Sequence, residues 1–183
     1  MAELRVTGGE LGGRRLFAPK RSEDVRPTTE RVREAVFSIL GEVGGARVLD
    51  LFCGTGALAI EALSRGAVEA TLVDTRPALA RRNLERLELS DRARTVRSDA
   101  VRFLSRAPEG AFDLVLCDPP YGLDTRISAE LDPLIRRALA PGGRVMVETS
   151  PRQPLGIELP LLRERRYGDT LVRVHTAEGG EGT

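Results

Sequence analysis

Apolar positions along this chain change rhythm at regular intervals. Short, nearly continuous apolar runs rich in Val and Leu occupy 46–52, 69–74, 112–117 and 144–148, and 94–97, Arg-Thr-Val-Arg, keeps the same spacing as a more polar strand. Between them lie longer stretches, 57–65, 77–89, 100–106 and 127–140, where apolar residues recur every three or four positions. The runs read as strands covered on both faces and the stretches as helices. Pro77 suits the first turn of its helix, and Pro141-Gly142-Gly143 stops the last one. Such alternation predicts an α/β protein with a parallel sheet and right-handed crossovers. Two more strand-like runs, 161–167 and 170–175, flank Gly168-Asp169 and predict a closing antiparallel pair.

The chain ahead of this alternation has a different pattern. Residues 4–17 hold two short strand-like pieces around paired glycines, which predicts a small β-hairpin. It is too small to fold alone and should lie against the main domain. A loop at 24–27 leads into a helix over 28–40, in which Val32, Ala35, Val36, Ile39 and Leu40 form one apolar stripe. Arg31, Arg33 and Glu34 fall off that stripe. Arg26-Pro27-Thr28-Thr29 stands at the helix entrance, where a loop can cap the helix or meet an anion.

With 183 residues and 41% hydrophobic composition, the chain is sized for one domain. The expected division is a basic hairpin extension at 1–25, the α/β domain at 26–176 and a disordered glycine- and glutamate-rich tail at 177–183. No apolar run is long enough to span a membrane, and no signal-peptide pattern opens the chain. Cys53 and Cys117 are far apart and lack metal-ligand spacing, so a reduced, cytoplasmic, metal-free protein is the expectation; a monomer is expected as well. A formal net charge of +1 makes no case for nucleic acid, but its distribution does. Arg14, Arg15, Lys20 and Arg21 fall together with no acid among them, and all basic residues but Lys20 are arginine. Arginine forks suit phosphate; the competing reading is a solvated edge strand.

Chemistry gathers at the strand ends. Val48 to Ala57 runs from an apolar strand through Asp50 into a turn, Gly54-Thr55-Gly56, that opens a helix. The third glycine of a dinucleotide fingerprint is missing, so a nucleoside with a charged tail fits better than a pyrophosphate. Asp74 ends the next strand and can accept from both ribose hydroxyls; Asp99 can accept from an adenine amine, with the Ala100 N–H beside it. Asp50 or the glycine loop can meet an ammonium or carboxylate tail. Each acid alone is more often a cap or a solvated turn. Four at consecutive strand ends face one crevice and match S-adenosylmethionine. The fourth signature, Asp118-Pro119-Pro120-Tyr121, offers carbonyls and a carboxylate that only accept, plus a flat ring. That set suits a planar amine whose lone pair must leave conjugation to react, and whose developing positive charge nearby acceptors stabilise.

These motifs resemble those of class I S-adenosylmethionine-dependent amino-methyltransferases. The stretch from Arg26 to Phe37, with the preceding Gly8 to Leu16 segment, narrows the resemblance to the bacterial RsmD-type methyltransferases, over about residues 4–175. That resemblance implies methylation of the exocyclic N2 amine of one guanine in 16S ribosomal RNA, on the RNA or the small subunit. It implies a Rossmann-like, seven-stranded, mostly parallel sheet with helices on both faces, and an N-terminal RNA-binding hairpin. The expected cofactor set is Asp50, Phe52, Gly54, Thr55, Gly56, Asp74, Asp99 and Ala100, with Thr28. Asp118, Pro119, Pro120 and Tyr121 are expected at the target base, and Arg14, Arg15, Lys20, Arg21, Arg26 and Arg31 at the RNA. No role is carried over to residues after Ser150. The rivals are a DNA adenine-N6 methyltransferase, disfavoured by the lack of a separate recognition domain, and a non-catalytic RNA-binding module. A protein-glutamine methyltransferase usually has Asn at the position of Asp118.

Overall fold

The structure, a computed structural model, describes residues 4–18, 30–120, 122–123 and 125–177. The hairpin is β1 (Leu4–Arg5) paired antiparallel with β2 (Arg15–Leu16). Helix α1 (Glu30–Leu40) follows. The alternation then runs β3 (Arg47–Leu51), α2 (Ala57–Ser64), β4 (Glu69–Asp74), α3 (Ala78–Arg86), β5 (Ala93–Arg97) and α4 (Ala100–Leu104). It continues with β6 (Phe112–Cys117), α5 (Thr125–Ala138), β7 (Leu139–Thr149), β8 (Leu161–Tyr167) and β9 (Thr170–Thr176).

Seven strands form one sheet in the order β5-β4-β3-β6-β7-β9-β8. The first five are parallel; β9 runs antiparallel to β7, and β8 to β9. The chain steps outward from β3 to β4 and β5, then returns to place β6 on the other side of β3. That reversal is the switch point at which open α/β sheets bind ligands, outside the carboxyl ends of the strands.

Both faces of the inner strands are covered, which is why those strands read as apolar runs, whereas the edge strands β5 and β8 are polar and largely uncovered. Successive residues feed opposite cores: Val48, Leu114 and Leu116 join α1, α2 and α3 on one face, while Leu49, Leu51 and Val115 join α4 and α5 on the other. Leu4, Val6 and Leu16 are buried in the first of these cores, so the hairpin shares it. Among the described residues no helix is long and apolar enough to cross a membrane.

Two local expectations fail. The buried face of α1 is Arg33, Val36, Phe37 and Leu40, rotated from the predicted stripe, and Val32, Ala35 and Ile39 are only half-buried. Arg33 is fully buried because its guanidinium donates to the Arg5 carbonyl of the hairpin. Its pKa is pushed down by that burial and held up by the charges of Glu61, Glu30 and Glu148. Second, α5 ends at Ala138, and Pro141-Gly142-Gly143 lies within β7. Leu139 already pairs with Phe112, and pairing resumes at Arg144 opposite Leu114, so the intervening residues form a bulge. At the C-terminal end, the Ala177 N–H donates to the Gly143 carbonyl at 2.8 Å, which ties down the first residue of the expected tail. The rest of that tail, 178–183, lies outside the described residues.

Candidate active site at the carboxyl ends of the strands

Strand register brings the predicted acids together. Leu51 lies opposite Val73 of β4 and Cys117 of β6, so Asp74 and Asp118 flank the chain just where it leaves β3. Asp50 shares the face of Val48 and points under α2, where its Oδ2 accepts from the Ala59 N–H at 3.1 Å. It is 1% exposed, and its Oδ1 has no hydrogen-bond partner. Burial pushes its carboxyl up to about 8, against the Ala59 bond and with added repulsion from Asp118 and Asp74. The crevice therefore holds one buried acceptor atom left over and a site short of positive charge.

The loop above it is held in an unusual conformation. Phe52 takes φ 61°, a left-handed geometry that costs an aromatic residue about 1–3 kcal/mol. The Gly54 N–H donates to Asp74 Oδ2 at 3.0 Å, and the Arg76 N–H donates to Oδ1 at 2.8 Å, so Asp74 positions the loop as well as ending β4. The two glycines serve different purposes. At Gly54, with φ 52°, a Cβ would meet only the Phe52 carbonyl at 4.0 Å, leaving space above the loop. At Gly56, with φ 77°, a Cβ would lie 2.8 Å from Leu72 Cδ2 and 3.2 Å from Ala80 Cβ, so close packing of loop on sheet demands glycine. Asp99 caps α4, accepting from the Arg102 N–H at 2.8 Å through Oδ1, and Ala100 begins that helix.

On the far side of β6, Pro119 and Pro120 form one wall of a cavity of about 300 Å³. Thr125 and Ser128 of α5, Thr149 of β7, and Ser150 and Gln153 of the following turn are its polar lining. The Gln153 N–H donates to the Ser150 carbonyl at 3.1 Å, closing that turn. Asp118-Pro119-Pro120 thus stands between the acidic crevice on the β3–β4 side and this cavity on the β7 side. Sequence reasoning missed the cavity residues, since nothing in a turn after Ser150 marks it as facing Pro119.

It also missed two buried polar anchors. Glu61 is fully buried on α2 and accepts from the Thr7 N–H at 2.8 Å, the Thr7 hydroxyl at 2.7 Å and Arg65 Nε at 2.9 Å. Asn83 is fully buried on α3; it accepts from the Phe17 N–H at 2.7 Å and donates to the carbonyls of Phe17 at 3.1 Å and Thr55 at 2.9 Å. Each is a polar residue at an apolar position of its helix, and that was the available signal.

Of the remaining expected residues, Arg14, Arg15 and Arg31 are exposed, the first two on the hairpin and the last on the first turn of α1. Thr28, Lys20, Arg21, Arg26 and Tyr121 lie outside the described residues. Burial pushes the thiols of Cys53 and Cys117 up, so neither supplies a thiolate. Among the described residues no His, Cys, Asp and Glu are grouped as a metal site requires.

Comparison with known proteins bears on the fold and the family. A solved structure from Escherichia coli, yhhF, given as a candidate methyltransferase, superposes with TM-score 0.81 at 32% identity, covering 98% of this chain and 100% of that one. An S-adenosylmethionine-dependent methyltransferase from Mesorhizobium loti superposes with TM-score 0.53 at 28% identity, covering 64% and 52%. Ribosomal RNA small subunit methyltransferase D of Escherichia coli K12 is 43% identical over 124 residues, 65% of this chain. That match spans 61% of the relative's own length. The fold is that of Rossmann-like methyltransferases of known structure. The family model described as Conserved hypothetical protein 95 matches residues 4–176, and the chain belongs to that family.

Proposed function

We propose that this protein transfers a methyl group from S-adenosylmethionine to the N2 amine of a guanine in 16S ribosomal RNA. The observation that carries the proposal is the position of Asp118-Pro119-Pro120 between the acidic crevice and the cavity beyond β6. The residues present fit the cofactor. The leftover buried Oδ1 of Asp50 suits an ammonium donor, Asp74 suits ribose hydroxyls, and the space over Gly54 admits a ligand against the backbone. When bound, S-adenosylmethionine supplies an electrophilic methyl group.

The chain's own residues do the rest. The cavity receives a purine whose amine faces the carboxylate of Asp118 and the backbone carbonyls of the Asp-Pro-Pro run. Those acceptors hold the two N–H bonds and favour the geometry in which the nitrogen lone pair is available. They then stabilise the positive charge that develops on nitrogen. No base is needed beforehand; the proton leaves after transfer, to Asp118 or to water. The hairpin, as a basic extension, contacts the RNA backbone through Arg14 and Arg15.

The test is transfer of tritiated methyl from S-adenosylmethionine to undermethylated small-subunit RNA, followed by nucleoside analysis. Label in N2-methylguanosine is expected, and inosine at the target should abolish it because inosine lacks the amine. Label in N6-methyladenosine, or in protein alone, would overturn the proposal.

A further inference from the structure

We infer that the outer face of α3, where Arg82 and Arg86 lie over Phe17, is a phosphate-binding site for the backbone of the RNA substrate. The inference rests on the RNA reading above and extends the contact surface from the hairpin onto the main domain.

The site is built around Phe17. Its ring carries two guanidiniums, with the central carbons of Arg82 and Arg86 each 4.6 Å from the ring centroid. Both arginines are exposed, and neither makes an ion pair with any described residue. Their charges can be no more than about 9 Å apart, within one Debye length at moderate salt. Nearby acids among the described residues do not pair with them. Glu85 precedes Arg86 on the same helix and pairs with neither, and Glu10, the single acid of the described hairpin, is held by Arg92 at 2.7 Å. Arginines that serve only solubility extend singly into water. Here two like charges converge on one ring with no counterion among the described residues, which favours an incoming anion. A guanidinium stacked on a ring keeps its in-plane N–H fork free for a phosphate oxygen pair.

Continuity with the hairpin supports an extended polyanion over a small anion. Arg14 and Arg15 precede Phe17 by three and two residues along an extended strand, so they lie within roughly 10 Å of it along the chain. The inner face of α3 fixes the same residue: Asn83 grips the Phe17 N–H and carbonyl and reaches the Thr55 carbonyl of the glycine loop. One buried carboxamide thus sets the phosphate site in register with the cofactor loop.

The test uses the full chain and a fluorescein-labelled RNA oligonucleotide carrying the target guanine, with affinity measured by anisotropy over a salt series. Each phosphate contact contributes about 0.7 to the log–log slope for single strands. Arg82→Gln with Arg86→Gln should lower affinity about tenfold or more at low salt and flatten the slope by about 1.4, leaving melting temperature and S-adenosylmethionine affinity unchanged. Phe17→Leu keeps the charges and removes the platform, so affinity should fall less and the slope should hold. An unchanged slope in the double variant, while Arg14→Gln with Arg15→Gln flattens it, would overturn this inference and leave the RNA reading standing. Wild-type protein without salt-dependent RNA binding would overturn both.

Discussion

Glu61 offers the sharpest test of how the hairpin is fastened to the domain. Its carboxylate is fully buried and receives three hydrogen bonds, two from Thr7 and one from Arg65, whose guanidinium also lies 2.8 Å from Oε1. Its charge further supports the buried guanidinium of Arg33. Glu61→Ala removes every one of these acceptors, takes the carboxylate partner from the largely buried Arg65, and removes one of the three carboxylates whose charges support the fully buried Arg33. Breaking a buried pair from one side costs about 3–5 kcal/mol. For a chain of this length each kcal/mol corresponds to about 2–4 °C, so melting should fall by roughly 6–20 °C. Glu61→Gln keeps the shape and one acceptor oxygen but no charge, and should cost about 1–3 kcal/mol. Urea denaturation followed by circular dichroism gives both values, and amide hydrogen exchange at Thr7 reports whether the hairpin opens alone. If it does, RNA affinity should fall while cofactor affinity holds. Wild-type stability in Glu61→Ala, with Thr7 exchange unaltered, would refute this account of the anchor.

Other predictions concern the site itself. Asp74→Ala removes the proposed ribose acceptor and frees the Gly54 and Arg76 N–H groups, so S-adenosylmethionine affinity by calorimetry should weaken by about 1.5–3 kcal/mol. Asp118→Ala should slow methyl transfer by about 10²-fold or more with little change in cofactor affinity; a near wild-type rate would remove Asp118 from the amine. Asp50 titrates near 8 when folded and near 4 when unfolded, so the folded state binds the extra proton between those values. Stability should therefore fall as pH rises from about 5 to 8, and Asp50→Asn should flatten that dependence in urea titrations. A cation over Asp50 reverses its preference, so cofactor binding near neutral pH should release a proton, seen as a buffer-dependent binding enthalpy; equal enthalpies in buffers of different ionisation heat would exclude the contact.

Much of this protein was determined by its sequence alone. Strands covered on both faces must be apolar throughout, and helices packed on one side must be apolar every three or four residues, so the α/β alternation was legible. So were the acids at strand ends, because Asp50, Asp74 and Asp118 interrupt or follow apolar runs and Asp99 stands between a strand-like stretch and a helix-like one. What local pattern cannot carry is the partner across the fold. Arg33 looked solvent-facing because its partner, the Arg5 carbonyl, comes from a hairpin 28 residues earlier. Glu61 and Asn83 take their roles largely from Thr7 and Phe17, which the N-terminal segment brings to them from far along the chain. Pro141-Gly142-Gly143 looked like a loop between elements, and only pairing of Leu139 with Phe112 made it a bulge inside β7. The cavity beyond Pro119 is lined from α5, β7 and the turn after Ser150, and exists only once the sheet sets them side by side. Burial and hydrogen bonding are properties of pairs, and for these residues the second member lies far along the chain, so tertiary structure alone decided their roles.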